Sequence, residues 1–131
     1  MVKGDGMSKN YDVWLEEDTN TVCLKTFRTM TADDVHELMD KADKEYADKD
    51  IEYCLIDMSE ATSEPIPKDT RKAFKEYAES INYKKVAIVV TNPVTRMLAR
   101  VALVVAGKPG VSRFFSNEED ARAWLAARNT P

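Results

Sequence analysis

Residues 51–58 (IEYCLIDM) decide the fold, together with the similar segment 86–91 (VAIVVT). Both are short, nearly continuous apolar runs, which is typical of strands that are buried on both faces of a sheet. A segment of helical length and pattern separates them. Because a connection of that kind joins parallel strands through a right-handed crossover, the two segments predict central strands of a parallel α/β sheet.

The flanking segments extend this sheet on both sides. Apolar residues alternate in 11–15 and again in 22–26, with a polar turn between them, which predicts an antiparallel hairpin. A last short strand is predicted over 111–115. Four helices are predicted to begin at Thr31 with Asp34, at Pro67, at Asn92 with Pro93, and at Ser116 with Glu119. The order is ββαβαβαβα, which predicts an α/β fold with a single mixed five-stranded sheet and about four helices.

Length and charge limit the classes of function. The 131 residues suit one domain, which we predict over 10–131 after a flexible leader over 1–9. A net charge of −4 disfavours nucleic acid as a partner. The average hides a split, because residues 1–66 hold 17 acids and 7 bases whereas residues 67–131 hold 6 acids and 12 bases. We expect the two halves to attract each other within one fold, and a surface for a charged partner is the alternative.

The sequence offers few groups for catalysis. Cys23 and Cys54 lie in strand segments without metal-ligand spacing, although the sheet could bring them near each other, and His36 is predicted to lie on the surface of an acidic helix. No glycine-rich phosphate loop accompanies the strands. We therefore predict no metal, no cofactor and no enzymatic activity. Without a signal peptide or a membrane-spanning stretch, the predicted location is the cytoplasm.

Polar side chains follow the two central strands at the point where each ends. Partners of open α/β sheets meet this carboxyl edge, where helix N-termini also favour an anion. The predicted partner-binding residues are Asp57, Ser59, Thr62, Ser63, Glu64, Thr91 and Asn92. The alternative is that these residues only cap helices and turn the chain.

The predicted helix after Pro93 is apolar on more than one side. Its apolar residues include Met97, Leu98, Val101, Leu103, Val104 and Val105. Burial of the helix in the core would explain this composition. A small apolar ligand or a partner interface at these residues is the alternative.

Three segments carry a resemblance to a known family: 54–62 (CLIDMSEAT), 86–92 (VAIVVTN) and 114–125 (FFSNEEDARAWL). With the order of elements, they resemble the STAS superfamily and, more narrowly, the SpoIIAA-like (STAS/SEC14-like) proteins, over residues 11–129. In the anti-sigma-factor antagonists of this superfamily, an Asp-Ser-Ser-Gly element follows the central strand, and a partner kinase phosphorylates its serine. Residues 62–67 (TSEPIP) lack that element.

The resemblance implies a bacterial, non-enzymatic regulatory module that binds a protein partner. The resemblance to SEC14-like proteins implies the alternative of a carrier or sensor for a small apolar or lipid-like ligand. The candidate phosphorylation sites are Ser59, Thr62 and Ser63, with Thr70 as a further acceptor. A homo-oligomer held by the opposite charges of the two halves is a third, weaker interpretation.

Overall fold

The computed structural model describes residues 10–28, 30–46, 49, 51–60, 67–80, 83–93, 96–97 and 109–127. The strands are β1 (Tyr11–Glu16), β2 (Thr21–Thr26), β3 (Tyr53–Asp57), β4 (Lys85–Val89) and β5 (Ser112–Phe115). The α-helices are α1 (Ala32–Glu45), α2 (Lys68–Ser80) and α3 (Glu118–Ala126). Single 3₁₀ turns occupy Glu17–Thr19 and Pro109–Val111.

The five strands form one mixed sheet in the order β1-β2-β3-β4-β5. Strand β1 pairs antiparallel with β2, and β2 to β5 are all parallel, so the predicted fold class is confirmed. The described residues form three α-helices, fewer than the four predicted. Pro93, Arg96 and Met97 have helical backbone, and the Arg96 N–H donates to the Asn92 carbonyl over 3.0 Å. The rest of that predicted helix and the predicted leader lie outside the described residues.

The hairpin turn shows how the sequence sets the first register. The polar residues between β1 and β2 form a 3₁₀ turn, which ends at Asn20 with a left-handed φ of 54°. Asparagine tolerates this conformation better than most residues. The turn places Glu16 opposite Thr21, so Tyr11, Val13, Val22 and Leu24 share one face of the hairpin.

Each face of the sheet carries its own apolar core. Val35 and Leu38 of α1 and Ala73 of α2 pack against one face, which includes Cys54. Trp124 and its neighbours in α3 pack against the other face, which includes Cys23. The two cysteines are therefore separated by the sheet, although their strands are neighbours. In the pairing they are near neighbours, since Val22 lies opposite Cys54, but they point to opposite faces because side chains alternate along a strand.

Helix α1 begins as predicted. The Thr31 hydroxyl accepts from the Asp34 N–H over 3.1 Å, and the Asp34 carboxylate accepts from the Thr31 N–H over 2.9 Å. This reciprocal capping box satisfies two N–H groups that the helix itself leaves without acceptors. The same carboxylate accepts from the Asn10 side chain over 2.8 Å, which ties the helix start to the chain entering β1.

Two other boundaries differ from prediction by one residue. Helix α3 is capped by Asn117, whose side chain accepts from the Asp120 N–H over 2.8 Å, so the predicted cap at Ser116 is wrong. Asparagine and serine cap helices about equally well, and tertiary contacts decide between neighbours. Helix α2 begins at Lys68, directly after the predicted first residue Pro67.

Two polar contacts attach α3 to the sheet. Arg122 donates two hydrogen bonds to the Glu16 carboxylate of β1, over 2.8 and 3.0 Å. The buried Lys85 ammonium of β4 donates to the carbonyls of Trp124 and Ala127, where the helix ends. These carbonyls would otherwise lack donors, and a cation beside them also complements the helix dipole.

Candidate functional site

The carboxyl ends of β2 to β5 meet along one edge of the sheet, as the sequence predicts. The parallel pairing sets Lys25 of β2 beside Asp57 of β3, and Asp57 beside Val89 of β4. Strand β5 ends alongside, where the Val90 N–H donates to the Phe115 carbonyl over 3.0 Å. We call this surface the carboxyl edge and describe it from β3 outward.

A tight turn at Asp57 forms the centre of the carboxyl edge. One oxygen of its carboxylate accepts from both the N–H and the hydroxyl of Ser59, over 2.9 and 2.6 Å. The Met58 N–H donates to the Val89 carbonyl over 2.7 Å, which extends the pairing of the central strands into the turn. Asp57 is only 7% exposed, whereas Ser59 and Glu60 are exposed. The turn therefore presents Ser59 on a hydrogen-bonded backbone and keeps Asp57 as its internal support.

Lys25 belongs to the same surface, although no sequence pattern indicated it. Its ammonium lies 2.6 Å from the Glu60 carboxylate, the residue after Ser59. The pKa of Lys25 is raised, first by this hydrogen bond and further by the charges of Asp57 and Glu118. Only the register between β2 and β3 brings Lys25 to the turn, and a sequence pattern does not specify that register.

Arg96 closes the other end of the carboxyl edge. Its Nη2 donates to the Val90 carbonyl over 3.0 Å and lies 3.5 Å from the Ser116 hydroxyl. Beside it is a cleft of about 260 Å³ lined by Thr91, Pro93, Arg96 and Met97. Polar and apolar groups thus meet in one depression, directly after the end of β4.

The structure brings together part of the predicted site. Asp57 and Ser59 bind each other, and Thr91 and Asn92 follow the neighbouring strand at the same edge. Thr70 is fully buried, which removes it from the accessible hydroxyls. The predicted site residues outside the described part of the chain are Thr62, Ser63, Glu64, Leu98, Val101, Leu103, Val104 and Val105.

The nucleophilic side chains away from this edge are held in unreactive forms. Burial raises the pKa of the Cys23 thiol to about 12, and full burial also raises the pKa of Cys54. A thiol with a raised pKa stays protonated and is a poor nucleophile at neutral pH. His36 lies on the surface, 4.0 Å from Glu76. Within the ranges described, no three His, Cys, Asp or Glu side chains are grouped so that they could hold a metal.

Away from the carboxyl edge, Glu16 and Arg122 form a salt bridge with two hydrogen bonds. The hydrogen bond from Arg122 is the largest of the influences that lower the pKa of Glu16 to about 2. Trp14 also donates to this carboxylate over 3.2 Å, and Glu118 binds the same arginine over 2.7 Å. This cluster joins an acid of the first half to a base of the second half. A similar pair, Glu52 with Lys84, supports attraction between the two halves as one cause of the charge split.

Comparison with known proteins gives a family and a fold. Residues 13–129 match the model of a domain of unknown function, DUF7793. The chain belongs to this family. No curated protein sequence matches it.

A crystal structure of an uncharacterised protein from Shewanella loihica PV-4 is similar over 92% of this chain and 99% of that one. That protein is from the DUF3478 family and is described as having a SpoIIAA-like fold. The TM-score is 0.65 and the sequence identity is 23%. The SpoIIAA-like resemblance is thus confirmed for the fold. As to membranes, the helices in the described ranges are all too short or too polar to cross one.

Proposed function

We propose that this DUF7793 domain is a non-enzymatic, regulatory protein-interaction module of the bacterial cytoplasm, and that it docks its partner on the carboxyl edge. The observation that carries the proposal is the turn in which the Asp57 carboxylate accepts from both the N–H and the hydroxyl of Ser59. The SpoIIAA-like fold supports a module of the STAS type. A binding surface of this kind requires no reacting group.

The physical advantage of the turn is preorganisation. Hydrogen bonds from Ser59 to Asp57 and from Met58 to Val89 fix the backbone before a partner arrives. A fixed surface loses less conformational entropy on binding, so more of the contact energy becomes affinity. The exposed Glu60 and the half-exposed Lys25 flank the turn with opposite charges, which suits a polar rim and orients an approaching partner.

Phosphorylation at Ser59 would act directly on this turn. A phosphoryl group replaces the hydroxyl proton that Ser59 donates to Asp57, and it adds a charge of about −1.5 to −2 at neutral pH. Two anions would then occupy a distance that now holds a hydrogen bond of 2.6 Å. The proposed consequence is an opened turn and a changed affinity for the partner. Thr62 and Ser63 remain further proposed acceptors and partner contacts, with Glu64, Thr91 and Asn92.

The test is quantitative affinity capture with variants matched in charge. Lys25→Glu changes the carboxyl edge, whereas Lys49→Glu makes the same change near Glu17, at the turn that precedes β2. A partner recovered by the wild type and by Lys49→Glu, but several-fold less by Lys25→Glu and Ser59→Asp, supports the proposal. Direct titration with that purified partner must give the same order of affinities among the wild type and the variants. Recovery that no edge variant alters, with all variants folded by thermal melting, would overturn it.

The alternative function is a carrier or sensor of a small apolar or lipid-like ligand. Within the described residues its support is Met97, which is 59% exposed and lines the cleft beside Arg96. The cleft of about 260 Å³ lies below the range of about 300 to 1,000 Å³ that is usual for small-molecule sites. Native mass spectrometry of the purified protein decides this point. A co-purifying apolar mass would favour the carrier, and a clean mass of the protein alone would count against it. A dimeric mass would support the oligomer.

A further inference from the structure

Arg96 differs from Arg122 in having no carboxylate partner among the residues that the structure describes. Arg122 binds the carboxylates of both Glu16 and Glu118. Arg96 donates only to a backbone carbonyl and approaches a hydroxyl, both of them neutral. Among the described residues, no carboxylate lies within ion-pair distance of Arg96. Within those described ranges, its positive charge therefore has no anionic partner at the carboxyl edge.

The guanidinium of Arg96 is also short of acceptors. Its Nε is buried without a hydrogen-bond partner, while Nη2 is held by the Val90 carbonyl. A buried donor without an acceptor is destabilising, and charged donors form the strongest hydrogen bonds with carboxylates. The contacts with Val90 and Ser116 hold the planar group in position. Because Nε is buried, an anion from solvent would meet the Nη groups, whose position these contacts fix.

Met97, the residue after Arg96, indicates that the ligand has an apolar group beside its anion. Met97 is 59% exposed and lines the same cleft, so an apolar contact is available beside the charge. Arginine and methionine are both enriched at the centres of protein interfaces, and arginine is a frequent energetic anchor. A cleft of about 260 Å³ is small for a complete ligand, and it suits side chains projecting from a larger partner.

The surrounding sequence favours an acidic partner. From Val90, the residue after β4, to Ser116 the sequence has four basic residues and no acidic residue. We infer that the cleft formed by Thr91, Pro93, Arg96 and Met97 binds an acidic peptide segment of a protein partner, with a carboxylate on Arg96 and an adjacent apolar side chain on Met97. This inference rests on the proposed function, because it assigns the chemistry of the partner at one end of the carboxyl edge.

The experiment is selection of peptides on the full chain. A phage library of random dodecapeptides is selected on the wild type after depletion on the Arg96→Gln variant. The expected peptides carry Asp or Glu next to Leu, Ile, Met or Phe. Their affinity is then measured by fluorescence anisotropy with a labelled synthetic copy.

The variants separate recognition from general charge. Arg96→Gln should weaken binding by at least about tenfold, the usual effect of removing an arginine anchor. Arg96→Lys should restore only part of it, since an ammonium lacks the planar fork. Met97→Ser should weaken binding several-fold. Arg113→Gln is the matched control, because it removes a charge from the same basic segment where Arg113 lies over Phe115 and Trp124, and it should bind like the wild type.

Several results would overturn the inference. They are selected peptides without acidic residues, equal binding by wild type and Arg96→Gln, or saturable binding of inorganic phosphate alone with no peptide selected. The result also separates the two proposals. Suppose that capture of a natural partner depends on Lys25 and Ser59, but that the peptides bind Arg96→Gln as tightly as the wild type. This inference then fails and the proposed function stands. If peptides require Arg96 but no partner depends on the edge, the proposed function fails and the cleft stands as a peptide site.

Discussion

The contact between Glu16 and Arg122 yields a prediction whose sign and size both follow from the structure. Arg122 lowers the pKa of Glu16 from its ordinary value of 4.5 to about 2. Such a difference corresponds to roughly 3 kcal/mol of stability if the environment were fully shielded from water. Arg122 is 38% exposed, so solvent screening reduces the expected contribution to about 1 to 2 kcal/mol.

The perturbation is Glu16→Gln, which keeps the shape of the side chain and removes its charge. Because the pKa of Glu16 is lower in the folded than in the unfolded state, its contribution is fully present above pH 4.5. It is lost as the pH falls towards 2. The wild type should exceed the variant by about 1 to 2 kcal/mol at pH 7, and this difference should vanish near pH 2.

The assay is urea unfolding of both proteins at a series of pH values, with the free energy of unfolding extrapolated to water. The control is Glu118→Gln, which removes the other carboxylate on Arg122. That exposed contact lies within one helix and should contribute only about 0.3 to 0.5 kcal/mol. A difference between wild type and Glu16→Gln that stays constant from pH 7 to pH 2 would refute the electrostatic argument.

Three further predictions follow from the packing on the two faces of the sheet. Trp124→Ala should lower the free energy of unfolding by about 3 to 5 kcal/mol because the indole is 8% exposed, whereas Met97→Ala should change it by less than about 0.5 kcal/mol. The wild-type tryptophan emission should include a blue-shifted, buried component, and a spectrum typical of exposed indole alone would contradict this packing. Lys85→Met should cost about 1 to 3 kcal/mol in denaturant unfolding, because two helix-end carbonyls lose their donor; an unchanged midpoint would show that water replaces it. Cys23 and Cys54 should resist thiol reagents at pH 8 in the folded protein and react in denaturant, since burial raises both pKa values; rapid labelling of the native state would contradict their burial.

Local patterns predicted those elements that depend on neighbouring residues. Thr31 and Asp34 form a capping box from residues three apart, and Asn20 ends a turn whose polar composition is visible in the sequence. The buried strands β3 and β4 follow from their continuous apolar runs. The predicted cap at Ser116 is wrong by one residue, since Asn117 caps about equally well and the difference in capping energy is small.

Only the part of the candidate site formed by residues close together in sequence, at the end of β3, was predicted. Asp57 and Ser59 are two residues apart, so a hydrogen bond between them is a local event. Lys25 reaches the same turn through the parallel pairing of β2 with β3. Arg96 lies in a segment without acids, but its lack of a carboxylate partner among the described residues depends on which side chains the fold brings around it.

The sequence by itself thus determined the α/β class, the order of elements and the edge at which polar residues collect, because periodicity and capping act over a few residues. The tertiary structure decided which faces the cysteines occupy, which acids meet which bases, and which arginine is left without a carboxylate. Glu16 and Arg122 are separated by 106 residues and still share two hydrogen bonds. Interactions between residues so far apart in sequence depend on strand register and helix placement. Packing of the whole apolar core determines both, so no local sequence pattern predicts these interactions.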